Sequence, residues 1–239
     1  MLVFRILEPL SNADHASLKS FGAQHDVVIY LQEGGPETIC PLEGETVDLR
    51  YRLPAYYLDI HFLPSDFTQV NSELNRLMVD HALNLLNPGE TDRVLDLFCG
   101  LGNFTLPLAR RTQEVVGVEG DAGLVARARA NAENNGIGNS RYFTANLYDS
   151  LDKEPWLREK FDNAQLDPPR SGAFEVLEHL PKLRIERMVY LYCYPGTLAR
   201  DAGELVHNLG YRLVAAGVMN MFPPYCPCGI HCAIREELT

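Results

Sequence analysis

A transmembrane helix needs about 18 consecutive apolar residues, and no stretch of this chain comes close to that length. The chain also does not begin with the basic segment followed by an apolar segment that is typical of a signal peptide. Basic residues are also scarce, since 21 Lys and Arg face 32 Asp and Glu, for a net charge of −11. Sequence-blind binding to nucleic acid depends on a basic surface. We therefore expect a cytoplasmic protein with no membrane and no DNA partner. The composition does not exclude an RNA partner that is held by a local basic patch or by another domain, and it does not indicate the oligomeric state.

The cysteines do not have the spacing of a disulfide framework, because three are scattered and three crowd the last 14 residues. We expect reduced thiols. The six are Cys40, Cys99, Cys193, Cys226, Cys228 and Cys232.

Two regions differ in pattern. Residues 1–63 hold short apolar runs separated by turn-forming residues, which predicts a small α+β appendage. Residues 64–239 alternate strand and helix patterns from Val94 onward, which predicts an α/β domain with a mostly parallel, doubly wound sheet. Because Met1 enters a strand-like run at once, we expect the chain to begin inside a larger protein. Strands are predicted at 94–98, 115–118, 141–144, 162–166, 188–192 and 211–216, and helices at 103–111, 121–135, 172–180 and 197–208.

A glycine turn follows the first of these strands. The apolar run ends at Phe98, and Gly100 and Gly102 let the backbone turn tightly and approach a ligand. Glu119 ends the next apolar run, 19 positions past Gly100, close to the spacing of about 20 at which an acid meets ribose hydroxyls. The third glycine of the dinucleotide fingerprint is absent, which favours a nucleoside pocket and S-adenosylmethionine as the ligand. The alternative is an ordinary strand-to-helix corner without a ligand.

Chemically capable side chains follow the ends of five predicted strands, where ligands bind in such sheets. Cys193 precedes a predicted helix, and a thiol that is partly exposed beside a positive helix end is favoured as a thiolate. The alternative is a small buried cysteine. Asp167 precedes two prolines that hold it in place, either to face a ligand or to cap a turn. The five strand-end residues are Phe98, Glu119, Asn146, Asp167 and Cys193.

Five strings carry a family resemblance that spans nearly the whole chain. They are Asp-Leu-Phe-Cys-Gly-Leu-Gly-Asn-Phe at 96–104, Val-Gly-Val-Glu-Gly at 116–120, Leu-Asp-Pro-Pro-Arg-Ser-Gly-Ala at 166–173, Cys-Tyr-Pro-Gly-Thr-Leu-Ala-Arg-Asp at 193–201 and Phe-Thr-Gln-Val-Asn at 67–71. Together they resemble the RNA uracil-5 methyltransferases, and most closely the 23S ribosomal RNA (RumA/RlmD) group. The resemblance implies the carboxyl-terminal half of such an enzyme, with a Rossmann-like S-adenosylmethionine-dependent methyltransferase fold. The family's RNA-binding domain and its iron–sulfur cysteines would lie upstream.

The resemblance also implies the chemistry: methylation of C5 of a uridine in 23S ribosomal RNA, with Cys193 as the nucleophile. A thiolate that adds to C6 makes C5 nucleophilic, and a base then removes the C5 proton so that the thiolate can leave. The target base is expected to be turned out of its stack. Six residues fall where the family contacts S-adenosylmethionine: Gln69, Phe98, Asn103, Glu119, Asn146 and Asp167.

Two segments depart from the family pattern. Tyr192-Cys193-Tyr194-Pro195 stands where the family commonly has Ser-Cys-Asn-Pro, which places a bulky ring beside the nucleophile. After Pro223 the family reads His-Thr-x-His-x-Glu-Ser, with the glutamate as the base, whereas this chain has no glutamate there. Codons permitted by residues 224–238, read from the second base of the Pro224 codon, can spell His-Thr-Ala-His-Val-Glu-Ser-Ile-Ala-Leu-Phe-Glu-Arg-Ser and a stop. We infer a frameshift near Pro224 that makes residues 224–239 an aberrant tail.

The aberrant tail has two expected consequences and one rival interpretation. We expect an impaired enzyme that binds the cofactor but fails to resolve its adduct, and a sheet edge weakened by the loss of the final strand. A rival interpretation of the tail is a metal site, although Cys-x-Cys-x₂-His-Cys lacks the spacing of structural zinc sites, and we predict no metal. Its ligands would be Cys226, Cys228, His231 and Cys232.

Two other functions remain open. One is a methyltransferase of the same fold that acts on another substrate, for which Cys193 would be dispensable. The other is a non-catalytic remnant that binds the cofactor or RNA.

Overall fold

The computed structural model describes residues 1–44, 46–219 and 229–236. Contacts divide the chain into two compact units: Met1–Arg50 with His61–Thr68, and Tyr51–Ile60 with Gln69–Thr239. The domain boundary that we place between residues 63 and 64 stays a prediction.

The smaller unit contains a three-stranded sheet and one long helix. Its strands β1 and β2 are parallel and β2 and β3 antiparallel, in the order β1-β2-β3. Ser11 begins the helix with a capping box, since its hydroxyl accepts from the Asp14 amide and the Asp14 carboxylate accepts from the Ser11 amide. The elements are β1 (Leu2–Arg5), α1 (Asn12–His25), β2 (Ile29–Gln32) and β3 (Cys40–Pro41).

The larger unit is built on a seven-stranded sheet. A short hairpin of β4 (Arg50–Leu53) and β5 (Leu58–His61) precedes it. The sheet strands are β6 (Arg93–Leu97), β7 (Glu114–Glu119), β8 (Ser140–Thr144), β9 (Asn163–Leu166), β10 (Arg187–Tyr192), β11 (Tyr211–Met219) and β12 (Gly229–Glu236). The helices are α2 (Ser72–Leu86), α3 (Thr105–Ala109), α4 (Ala122–Asn134), α5 (Phe174–Leu177) and α6 (Pro195–His207).

The strand order is β11-β12-β10-β9-β6-β7-β8. Strands β10, β9, β6, β7 and β8 run parallel, and β12 is antiparallel to both of its neighbours. This arrangement confirms the Rossmann-like α/β fold. Because the central strands are parallel, their carboxyl ends meet at one edge, where such sheets bind ligands.

The expected loss of the final strand is wrong. Residues 229–236 form β12, which pairs with β10 from Arg187 to Tyr192 and with β11 from Tyr211 to Met219. The sequence explains this, because apolar residues still alternate at Ile230, Cys232 and Ile234. Apolar residues at every second position favour a β-strand, whichever reading frame encodes them.

The core lies on both sides of the central strands. Val94, Leu95 and Leu97 of β6 are fully buried, which is typical of parallel strands covered on both faces. Two predicted helices are shorter than expected, since 103–111 becomes Thr105–Ala109 and 172–180 becomes Phe174–Leu177. In the described part of the chain, no helix is long and apolar enough to cross a membrane.

Candidate active site

The glycine turn after β6 has three residues with left-handed backbone angles. Phe98 has φ of 63°, Gly100 of 53° and Gly102 of 92°. Positive φ is ordinary for glycine but uncommon for phenylalanine, and such residues cluster at functional sites. The turn is held by the Cys99 amide, which donates to the carbonyl of Val118 at 3.1 Å. The sequence prediction of a tight glycine turn at this point is therefore confirmed in its backbone.

Glu119, at the end of β7, has its carboxylate held by backbone amides from two turns. Its Oε2 accepts from Gly100 at 3.1 Å, and its Oε1 accepts from Gly120 at 2.8 Å and Asp121 at 3.3 Å. A carboxylate offers about four lone-pair sites. The Glu119 carboxylate, whose position the three amides fix, can therefore accept one further hydrogen bond from a ligand.

Two further carboxyl groups lie at this edge of the sheet. Burial raises the pKa of Asp167, which follows β9, to about 7. Asp96 in β6 is fully buried and accepts from the Thr105 hydroxyl at 2.5 Å. Burial raises the pKa of Asp96 to about 8, and the negative charges of Asp167 and Glu119 add to that rise. Asp167 and Glu119 are thus close enough to Asp96 for their charges to affect its pKa.

An aromatic contact joins the loops that follow three of the strands. The ring of Tyr148 lies 5.8 Å from that of Phe98. The Tyr148 hydroxyl donates to the Gly172 carbonyl at 2.9 Å and accepts from the Ser171 hydroxyl at 2.8 Å. Asn146 is exposed beside this contact, and its amide group donates to Asp149 at 2.8 Å. The structure therefore brings the loops after β6, β8 and β9 together.

Most of the hydrogen-bonding capacity of the Asn103 side chain is used within the protein. It forms a reciprocal amide pair with Asn75 of α2, with both hydrogen bonds at 3.0 Å. Its Oδ1 also accepts from the Tyr51 hydroxyl at 2.9 Å. One N–H of Asn103 is left for a ligand. Gln69 is half-buried just before α2, which Asn71 caps through a bond from the Leu74 amide at 3.1 Å. The roles of Asn103 and Gln69 stay predictions.

Cys193 lies exposed in the two-residue loop between β10 and α6. The helix begins at Pro195, two residues before the predicted start, with Tyr194 as its N-cap. The Thr197 hydroxyl in its first turn bonds to the Tyr192 hydroxyl at 2.7 Å and lies 3.2 Å from the Arg170 carbonyl. The alternative of a buried thiol is wrong for Cys193, and the sulfur-bearing loop is tied to the loop that follows Asp167.

Asp201, which the sequence reasoning missed, joins α6 to β10 and to the loop after β9. Asp201 is fully buried in α6, and its carboxylate accepts from the Tyr190 hydroxyl at 2.6 Å, the Ala173 amide at 2.9 Å and Nε of Arg200 at 2.7 Å. Burial raises the pKa of the Tyr190 hydroxyl, and its bond to Asp201 adds to the rise.

A signal for Asp201 was present in the sequence. It stands between Leu198 and Leu205 at helical spacing, in the apolar stripe of α6. A charged residue in such a stripe needs buried partners.

Comparison with known proteins decides the family. The sequence profile described as tRNA (Uracil-5-)-methyltransferase matches residues 41–230. The chain belongs to this family. Its curated relatives include proteins named 23S rRNA (uracil(1939)-C(5))-methyltransferase RlmD. That of Stenotrophomonas maltophilia is 58% identical over 93% of this chain and 50% of its own length, and that of Xanthomonas campestris is 53% identical with the same coverage. The chain spans about half the length of these relatives.

Two solved structures have a similar fold, and the first of them also supports the assignment to the family. Pyrococcus abyssi tRNA (uracil-54, C5)-methyltransferase, in complex with S-adenosyl-L-homocysteine, has a TM-score of 0.70 and 26% identity over 87% of this chain and 50% of its own. TYW2 of M. jannaschii, in complex with AdoMet, has a TM-score of 0.61 at 15% identity over 88% of this chain and 94% of its own, and shows the fold alone. The family resemblance stated from the sequence is confirmed.

The rival metal site cannot be placed in this structure. Cys226 and Cys228 lie outside the described residues, as do the side chains of His231 and Cys232. Across residues 1–44 and 46–219, no group of three or more His, Cys, Asp or Glu side chains is arranged to hold a metal ion.

Proposed function

We propose that this chain is the methyltransferase portion of an RNA uracil-5 methyltransferase, and that it acts on C5 of a uridine in 23S ribosomal RNA through a covalent bond from Cys193 to C6. Membership of the family and 58% identity to a 23S rRNA (uracil(1939)-C(5))-methyltransferase support this substrate. The observation that carries the proposal is the exposed thiol of Cys193 at the sheet edge that also bears Glu119 and Asp167.

The residues at this edge fit S-adenosylmethionine. Glu119 is fixed by three backbone amides and keeps capacity for a ribose hydroxyl. A Cβ at Gly100 would meet no atom within 4 Å, so the space over the turn is open to a ligand. The ring of Phe98 and the carboxyl of Asp167 border the same turn, because the Asp167 amide donates to the carbonyl of Leu97 at 3.3 Å. When bound, S-adenosylmethionine supplies an electrophilic methyl group.

The chain's own residues perform the remaining chemistry. The Cys193 thiolate adds to C6 of uracil, which moves electron density to C5 and makes that carbon nucleophilic. Once C5 carries the methyl group, a base must remove the C5 proton so that the C6–sulfur bond can break. The six-residue contact set of the sequence prediction remains part of this proposal: Gln69, Phe98, Asn103, Glu119, Asn146 and Asp167.

The base is the part of the machinery that this chain lacks in its present frame. The family's glutamate would come shortly after Pro223, where this sequence has Pro224 and Tyr225 and then a cysteine-rich segment. The match to the family profile runs to residue 230, within this segment. Because no glutamate follows Pro223 at the position of the family's base, we infer that the chain adds to uracil but fails to release it.

A 5-fluorouridine substrate tests the proposal without the base. Fluorine at C5 cannot be removed as a proton, so the Cys193 adduct accumulates whether or not a base is present. The chain is mixed with a single-stranded RNA that contains 5-fluorouridine and with S-adenosylmethionine, and the intact mass is measured. We expect an RNA–protein adduct whose modified peptide contains Cys193, and none for Cys193→Ser. A chain that binds the cofactor and RNA but forms no adduct would refute the covalent step.

A further inference from the structure

Tyr194 places a largely exposed aromatic ring directly after the nucleophilic cysteine. The residue is 54% exposed. The ring has a defined place, because a Cβ added to Gly196 would lie only 3.1 Å from its Cε1 atom. Any larger residue at 196 would push against the ring, so Gly196 gives Tyr194 room to lie against the first turn of α6. The Thr197 hydroxyl also lies 3.3 Å from the Tyr194 carbonyl.

The backbone of Tyr194 is extended, and its ring lies against the first turn of α6. Tyr194 has φ of −132° and ψ of 109°, which is an extended conformation. A base stacked on this ring would lie over the start of α6 and next to Cys193, a position that suits a neighbour of the reacting base.

The surroundings favour a nucleic-acid base over an apolar protein segment. The Arg170 carbonyl lies 3.2 Å from the Thr197 hydroxyl, and Arg170 itself is exposed. The Arg200 guanidinium lies 5.1 Å above the Phe174 ring and donates to the Ser171 carbonyl at 3.0 Å. Arg170 thus supplies an exposed cation at this edge in a chain with a net charge of −11, whereas Arg200 is paired with Asp201.

We propose that Tyr194 is a substrate-binding residue that stacks on the nucleotide flanking the reacting uracil, when that RNA is single-stranded. This inference rests on the proposed function. Single-stranded RNA is recognised largely by stacking of splayed bases on aromatic side chains, and a stacked base contributes about 1–3 kcal/mol. An acidic chain gains little from phosphate attraction, so stacking carries a larger share of its affinity for RNA.

The test measures RNA binding by the full chain with a fluorescent flanking base. The probe is a single-stranded RNA with one 5-fluorouridine and a 2-aminopurine next to it, whose emission is quenched by stacking. We expect Tyr194→Phe to bind and quench as the unaltered chain does. Tyr194→Ala should lose the quench and bind about 5- to 150-fold more weakly, with unchanged affinity for S-adenosylmethionine. The matched control is Tyr57→Asn, because Tyr57 is 89% exposed and its φ of 56° suits asparagine.

Each outcome decides between the two claims. Equal RNA affinity of Tyr194→Ala and the unaltered chain would overturn the stacking role, as would an unaltered chain that binds no RNA. Because adduct formation on Cys193 is scored in the same samples at saturating RNA, it separates the proposals. If the adduct forms but RNA binding does not depend on Tyr194, the proposed function is supported and the stacking role is refuted. If RNA binding depends on Tyr194 but no adduct forms, the covalent step is refuted and the stacking role is supported.

Discussion

The amide of Gly100 donates a hydrogen bond of 3.1 Å to Oε2 of Glu119, a residue 19 positions later in the chain. This bond links the turn after β6 to the end of β7. It explains why the spacing between the glycine turn and Glu119 indicates a ligand site. The backbone of the turn, which approaches the ligand, also orients the Glu119 carboxylate. Glu119 is thus fixed before any ligand arrives, which reduces the entropy cost of binding.

Replacing Glu119 is expected to weaken the binding of S-adenosylmethionine. Glu119→Ala removes the acceptor of three amides and the proposed contact to a ribose hydroxyl. A hydrogen bond to a charged group contributes about 1.5–3 kcal/mol, so the dissociation constant should rise about 10- to 150-fold. Titration calorimetry measures it. The control is Glu133→Gln, on the exposed side of α4, which should bind as the unaltered chain does. Full affinity of Glu119→Ala would exclude Glu119 from the cofactor site.

Asp201 is expected to be a major source of stability at this edge of the sheet. Asp201→Ala leaves the Tyr190 hydroxyl and the Ala173 amide buried without an acceptor, and breaking such a network costs about 3–5 kcal/mol. Tyr190→Phe removes one donor and should cost about 1 kcal/mol. Urea unfolding gives both values. The control is Glu178→Ala, whose side chain is 73% exposed. A loss below about 1 kcal/mol for Asp201→Ala would contradict the network.

The stability of the chain is expected to fall as the pH rises from about 5 to about 8. The raised pKa of Asp96, about 8, means that the folded chain keeps a proton which the unfolded chain loses near the ordinary value of 3.8. Between these values the folded state binds more protons, so each pH unit lowers the free energy of unfolding by up to about 1.4 kcal/mol. Asp167, with a pKa of about 7, adds to the fall below that pH.

Asp96→Asn isolates this effect, because asparagine stays neutral and can still accept from the Thr105 hydroxyl. Thermal unfolding measured from pH 5 to 8 should be less dependent on pH in this variant than in the unaltered chain. Toward pH 8 the difference should be clearest, since folded Asp167, with a pKa of about 7, has by then lost most of its proton. Identical pH profiles would show that Asp96 is already ionised in the folded protein.

Restoring the family's ending is expected to restore turnover. In this variant, residues from Pro224 onward are replaced by His-Thr-Ala-His-Val-Glu-Ser-Ile-Ala-Leu-Phe-Glu-Arg-Ser, which returns the glutamate base. With ordinary uridine RNA and S-adenosylmethionine, it should release many equivalents of 5-methyluridine. The matched control has Gln in place of that glutamate and should stall as an adduct. Multiple turnover by the unaltered chain would show that its present tail does not impair the enzyme.

The sequence predicted the parallel sheet well because buried strands and glycine turns leave local signals. The apolar run before Phe98 and the acid at Glu119 are read directly from the order of residues. Asp201 was missed, since its partners come from β10 and from the loop after β9, and only the folded chain brings them together. The bond between Asn103 and Asn75 is hidden for the same reason, as the two lie 28 residues apart. The final strand was misjudged because strand formation depends on residue pattern and not on the reading frame.

The central claim is that the sulfur of Cys193 activates uracil for methylation at C5. The most direct measurement uses uridine RNA, S-adenosylmethionine with a labelled methyl group, and peptide mapping of the quenched reaction. We predict that the label is found on C5 of a uridine still joined to the peptide containing Cys193, and that Cys193→Ala transfers no label to RNA. Labelled RNA from Cys193→Ala, or label on any other atom of the substrate, would contradict the account.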